Sequence, residues 1–386
     1  MFATSTMGAT EATGRLTIVI AGGGTGGHLF PGIAIAKEIQ RRRPDARISF
    51  AGTKRGIEAR VVPLEGFALD LIRSAGLKGK SIVARARGAA LLPLSFGDAW
   101  RIISTRRPQL VVGVGGYSSG PVVLVASLRG VPTMLLEQNA VPGLTNRLLA
   151  PFVRAAAVTF ESTAAFFGPK AFISGNPVRP EFLNNEEQPA ESGDAVSASA
   201  QVLVFGGSQG AHAINMAMVE AAQELTGRAT QVRLTHQTGE RDLEVVRAAY
   251  RQASLTAEVA PFFIDMGRRL READLVVCRA GATTVAEITA AGKPAILVPL
   301  PTATDDHQRK NAEALAAAGA ADVLIQAEMS GHVLAQRILT LAGDRAKRLR
   351  MAAVARTMAH PHAARVIVDR ALELAERTNR KREPRT

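Results

Sequence analysis

The stretch GGGTGGH at residues 22–28 sets a histidine at the mouth of a glycine-rich turn. Glycines remove side chains where a backbone must turn sharply, so a substrate can approach both the main chain and the imidazole. If the turn opens a helix, the positive helix terminus disfavours an imidazolium, and a neutral His28 can take a proton from an attacking hydroxyl. The plain alternative is a histidine that only caps the turn. A second turn, Gly206-Gly207-Ser208-Gln209-Gly210, offers backbone N–H groups and the Ser208 hydroxyl at a helix start, which suits a diphosphate as well as a simple strand-to-helix connection. In RAGATTVAE, residues 279–287, Glu287 falls in the second turn of a helix. There it can accept hydrogen bonds from both hydroxyls of a ribose, or merely sit on a solvated helix face. Asp305, Asp306, His307, Gln308 and Asn311 follow the apolar run PAILVPLP, at a strand end where ligand contacts concentrate. Their spacing matches no strong metal-ligand pattern, and neither a metal nor a cofactor is expected.

These residues need a scaffold that brings strand ends together. Short β-branched runs (RLTIVIAG, ARISFAG, QLVVGVGG) alternate with helical stretches (PGIAIAKEIQRRR, GPVVLVASLRG), with Pro31 near one helix start and Gly130 near another helix end. That rhythm predicts parallel sheets covered by helices on both faces. It stops at residues 184–199, a polar, acidic stretch that reads as a linker, and resumes at QVLVFGG and DLVVCRAGATTVAEITAAGKPAILVPLP. The reading is two Rossmann-like halves, residues 15–183 and 200–360, followed by a C-terminal helix and basic tail at 361–386. Each half opens with a strand, a glycine turn and a helix, so facing halves would form a cleft. A dinucleotide fingerprint would place an acidic residue after the second strand; Thr53, Lys54 and Arg55 stand there, which argues against a nicotinamide enzyme.

The 386 residues carry a formal charge of +13, which attracts anions. With only two Tyr and one Trp, the chain shows no stacking platform for nucleic acid. A single cysteine, Cys278, rules out an intrachain disulfide and fits a reducing compartment. No apolar run approaches bilayer length, so any membrane contact is expected to be peripheral. Between Arg73 and Arg107 the only carboxylate is Asp98, against Lys78, Lys80, Arg85, Arg87, Arg101 and Arg106. Leu91, Leu92, Leu94, Phe96 and Trp100 lie in the same stretch, a basic and apolar surface suited to anionic headgroups or else ordinary core under a loop.

GGGTGGHLFPGIAIA, GVGGYSSGP, EQNAVPGLTN, GNPVR, GGSQGAHAIN, CRAGATTVAE and DDHQRKNA, in this order, resemble the MurG family of N-acetylglucosaminyltransferases in peptidoglycan synthesis. The resemblance spans nearly the whole chain. It implies an α/β GT-B fold, two Rossmann-like parallel-sheet domains facing a central cleft. The implied reaction transfers N-acetylglucosamine from UDP-GlcNAc, with inversion, to the 4-hydroxyl of the muramoyl residue in undecaprenyl-pyrophosphoryl-MurNAc-pentapeptide, converting lipid I to lipid II. The site it implies has Thr25, Gly26 and Gly27 close to donor and acceptor and His28 as base. Asn139, Arg179 and Ser208 would meet the donor, the Ile264 backbone the uracil, residues Ala282, Thr283, Thr284, Val285, Ala286 and Glu287 the nucleotide, and Gln308 the sugar. It further implies a peripheral position on the cytoplasmic face of the plasma membrane and other cell-wall synthesis proteins as partners. Leu136 and Ala280 depart from the family, some members carrying histidine and serine there.

Overall fold

The computed structural model describes residues 15–54, 56–74, 91–183, 199–207, 210–226 and 232–382. The 184–198 part of the linker, Ser208, Gln209, the basic residues 78–87 and the end of the tail lie outside the described residues.

The first sheet has seven strands, β1 (Thr17–Gly22), β2 (Arg47–Gly52), β3 (Ala68–Leu71), β4 (Leu110–Gly115), β5 (Thr133–Glu137), β6 (Ala155–Val158) and β7 (Ala171–Ile173), in the order β3-β2-β1-β4-β5-β6-β7. The second has six, β8 (Ala200–Phe205), β9 (Val232–Gln237), β10 (Ala257–Ala260), β11 (Leu275–Cys278), β12 (Ala295–Leu297) and β13 (Ala321–Val323), in the order β10-β9-β8-β11-β12-β13. Neighbours run parallel, with Ile18 opposite Leu110 and Val202 opposite Leu275.

Alternate residues of a strand point to opposite faces. Ile18 and Ile20 join one apolar cluster while Val19 and Ala21 join another, so β1 is buried on both sides. Val202 and Val204 divide in the same way from Leu203 and Phe205 in β8. Two-sided burial explains why these strands read as continuous apolar runs. The last helix, Ala363–Arg382, returns to the first sheet: its Ile367, Val368, Ala371 and Leu374 pack in the cluster of Leu29, Ile35 and Ile39, and its Asp369 pairs with Arg42.

One local expectation is corrected. The first helix runs Gly26–Arg42, so Pro31 lies inside it and not near its start. Glycine propensity argues against a helix over Gly26 and Gly27, but fully buried Leu29 anchors that turn in the core, and tertiary packing overrides propensity.

Candidate active site

In each sheet the strand order reverses beside the first strand of the half, between β1 and β4 and between β8 and β11. A crevice opens at the carboxyl ends of such a pair. The ends of β1 and β4 meet so closely that a Cβ at Gly22 would lie 2.5 Å from the Gly115 carbonyl oxygen. His28, in the first turn of helix Gly26–Arg42, fits against the same loop: a Cβ at Gly115 would come within 2.7 Å of its Nδ1. That Nδ1 is buried and makes no hydrogen bond among the described residues. Burial holds the imidazole below its ordinary pKa, opposed by the field of Glu137 and helped by His307. The ring is therefore neutral near pH 7, with burial as the leading cause where the sequence pointed to the helix terminus.

Glu137, at the end of β5, is saturated by neutral donors: Asn139 N and Nδ2 at 3.1 Å, Gly143 N at 2.9 Å and Asn146 Nδ2 at 2.9 Å. This fixes Asn139, whose Oδ1 accepts from Asn311 Nδ2 at 3.2 Å while Asn311 Oδ1 accepts from Ala140 N at 2.9 Å. Asn139 thus sits on a polar seam joining the halves. Arg147 and Asp305, 3.5 Å apart, add an ion pair across it.

In the second half, helix Ala282–Ala291 follows β11, with Gly281 as its N-cap in an extended conformation. Its start faces the first glycine turn, since a Cβ on Gly27 would stand 3.8 Å from Thr283 Oγ1, which is buried and makes no hydrogen bond among the described residues. Glu287 is buried, and Arg179 Nη2 donates to its Oε1 at 3.1 Å. The guanidinium also pairs with Glu181 at 3.0 Å and stacks over Phe182 at 4.5 Å. Burial pushes the Glu287 pKa up to about 7 against the pull of Arg179. Gln308 turns its Oε1 inward, accepting from Ala280 N at 3.3 Å and Leu300 N at 3.0 Å. Ile264 is 93% exposed on a loop pinned by Gln237, which accepts from Phe263 N at 2.8 Å and donates to the Gly207 carbonyl at 3.0 Å.

The structure therefore brings Gly27, beside His28, against Thr283, with Arg179 bridging Glu287 and Phe30 of the first helix and Asn139 at the seam. Val285 and Ala286, with Asn176, Ile173 and Met358, line a cavity of about 490 Å³. Sequence reasoning passed over Glu137, Gln237 and Glu58; each is a polar residue at or just beyond a strand's carboxyl end, which is the signal that finds them.

The Glu287 pKa carries a signed prediction. A carboxyl raised from 4.5 to about 7 destabilises the unliganded fold as pH rises through that window, fully above it and not at all below pH 4.5. Glu287→Gln is expected to raise the thermal midpoint at pH 8 and leave it unchanged at pH 4, as scanning calorimetry will report.

Two doubly wound sheets, each with a glycine turn at its switch point and facing each other across a polar seam, define a GT-B glycosyltransferase. The glycosyltransferase family 28 N-terminal domain matches residues 18–158, and that family's C-terminal domain matches residues 201–367. The chain belongs to glycosyltransferase family 28. It is 47% identical over 363 residues, 94% of each chain, to the Anaeromyxobacter dehalogenans UDP-N-acetylglucosamine--N-acetylmuramyl-(pentapeptide) pyrophosphoryl-undecaprenol N-acetylglucosamine transferase. The Geobacter sulfurreducens protein of the same name is 46% identical over 355 residues, covering 92% of this chain and 97% of its own. The crystal structure of Acinetobacter baumannii MurG matches with a TM-score of 0.77 and 32% identity, over 93% of this chain and 100% of that one.

Proposed function

We propose that the protein transfers N-acetylglucosamine from UDP-GlcNAc to the 4-hydroxyl of the muramoyl residue of undecaprenyl-pyrophosphoryl-MurNAc-pentapeptide, inverting the anomeric centre. The observation that carries this reading is a neutral, half-buried imidazole on a glycine turn that faces, across a cleft, the start of a helix carrying the buried Glu287 carboxyl group. In this reading residues 15–183 hold the acceptor and residues 200–360 the donor. Glu287 accepts from the ribose hydroxyls, the Ile264 backbone pairs with uracil, and Thr283, Gln308 and Asn139 border the sugar. His28 removes the acceptor proton as the new bond to the anomeric carbon forms, and the Glu137 carboxylate favours the imidazolium that results. The N-terminus of helix Ala282–Ala291, the Ser208 turn and Arg179 offset the charge on the departing diphosphate. Incubation with UDP-GlcNAc and a lipid I analogue, without added metal, is expected to release UDP only when both are present. UDP release indifferent to the acceptor would defeat the assignment.

The same reading places the protein on the cytoplasmic face of the membrane as a peripheral protein. Helix Leu92–Arg106 buries Ala99, Ile102 and Ile103 together with Ser95 and Asp98, Asp98 bonded to Arg73 at 2.8 Å, while Leu92, Leu94, Phe96 and Trp100 are exposed. Arg129 lies 4.5 Å from the Trp100 ring centre, beside exposed Leu128. Apolar side chains ringed by arginines suit an anionic lipid surface, and no helix among the described residues is long and apolar enough to cross a membrane. Burying one such side chain stabilises by about 1.5–3 kcal/mol, so Phe96→Ser with Trp100→Ser is expected to weaken sedimentation with phosphatidylglycerol vesicles by at least about tenfold. Turnover of a water-soluble acceptor analogue should not change.

A further inference from the structure

Glu58 begins the short helix Glu58–Leu64 just beyond β2 and is only 1% exposed. Its Oε1 accepts from Thr53 N at 2.8 Å and Thr53 Oγ1 at 2.9 Å, and its Oε2 accepts from Gly24 N at 2.8 Å. No ion pair reaches it among the described residues. A buried carboxylate answered only by neutral donors is retained where its acceptor geometry is needed. The surrounding backbone is cut to fit it: a Cβ at Gly23 would lie 2.6 Å from its carboxyl carbon, and one at Gly52 would lie 2.5 Å from its Cγ.

We propose that Glu58 is a positioning residue of the reaction, holding the first glycine turn in the shape that seats His28. The link is a chain of close contacts. Gly24, bonded to Glu58, sits at φ +85°, a left-handed conformation, and leads into Thr25, whose carbonyl accepts from His28 N at 3.3 Å and Leu29 N at 3.1 Å. On the other side of the turn, Gly23 O packs where a Cβ on Gly116 would be, 2.6 Å away, and neighbouring Gly115 abuts His28 Nδ1. Releasing Gly24 from the carboxylate therefore frees both walls of the imidazole's seat. The inference rests on the reading of His28 as the base.

A glutamine at this position keeps the shape but presents one N–H2 where two oxygens now accept, so a donor faces either Gly24 N or Thr53 N. In the full-length protein, Glu58→Gln is expected to lower kcat by about 100-fold, the consequence of a displaced base, with UDP-GlcNAc affinity by calorimetry within about twofold of wild type. Carbon-labelled histidine spectra of the resting protein give a second readout, in which the His28 ring signal, assigned with His28→Ala, moves while the other six histidines keep their shifts. Thr53→Val, which removes the hydroxyl that donates to Glu58 at 2.9 Å and accepts from Gly56 N at 3.2 Å while keeping the Thr53 N donor, should change kcat in the same direction by a smaller factor. An unmoved His28 signal together with near wild-type kcat overturns the proposal, as does loss of turnover matched by loss of donor-binding stoichiometry, which marks a general folding defect. If the wild type transfers no N-acetylglucosamine, the functional reading fails, while the His28 signal still decides the role of Glu58.

Discussion

His28→Ala is expected to lower turnover by about 100- to 10,000-fold, the range for loss of a positioned general base, with UDP-GlcNAc affinity by calorimetry left within about twofold. The expectation follows from where the imidazole stands. It is packed on Gly115 in the first half, whereas the carboxylate and helix start read as donor contacts belong to the second. Because burial lowers its pKa, His28 stays unprotonated below the pH at which an exposed histidine would gain a proton. The acidic limb of kcat/KM should therefore fall below the ordinary histidine range and vanish in the variant. Wild-type turnover in His28→Ala removes the base from the mechanism.

Glu287→Ala should have the opposite signature. Hydrogen bonds to a charged group contribute about 1.5–3 kcal/mol net, so loss of the ribose contacts weakens UDP-GlcNAc binding by roughly 10- to 150-fold. Calorimetric titration with UDP-GlcNAc reads this directly, and affinity for an acceptor analogue should be little altered. The pKa near 7 adds a pH signature: the ionised carboxylate is the form that accepts two hydroxyls, so wild-type donor affinity climbs with pH up to about 7 and then levels. Glu287→Gln should lie flat across that range. Unchanged donor affinity in Glu287→Ala would assign the carboxylate to the interdomain contact with Arg179 alone.

These two variants probe residues that the sequence made visible, and the reason is local. Gly22 to Gly27 and RAGATTVAE each join an apolar run to a helix, and parallel strands buried on both faces announce themselves as such runs, as Ile18 and Val19 or Val202 and Leu203 show. What was not legible depends on chain segments far apart. Asn139 and Asn311 are separated by 172 residues and meet only because the two halves close. Glu58 lies just past the point where a ribose-binding acid was sought and set aside, and its carboxylate points back to a glycine turn 34 residues earlier. The helix Leu92–Arg106 left two readings open, and its orientation is set by Ala99, Ile102 and Ile103 packing inward with Asp98, which bonds to Arg73, so that Trp100 stays outside. Val285 and Ala286 share a motif with Glu287 and border a cavity with Asn176 and Ile173, a neighbourhood that the sequence did not show because those residues lie more than a hundred positions earlier.

The stereochemistry of the new glycosidic bond tests the central claim most directly. A hydroxyl deprotonated by His28 that displaces UDP in one step yields a β-linked N-acetylglucosamine from the α-linked donor, and the proton coupling at the anomeric carbon of the purified product should show only the β form. An α-linked product would require either two successive displacements through an enzyme nucleophile or departure and attack on the same face of the sugar, and either would contradict a mechanism built on in-line attack by an acceptor that His28 deprotonates.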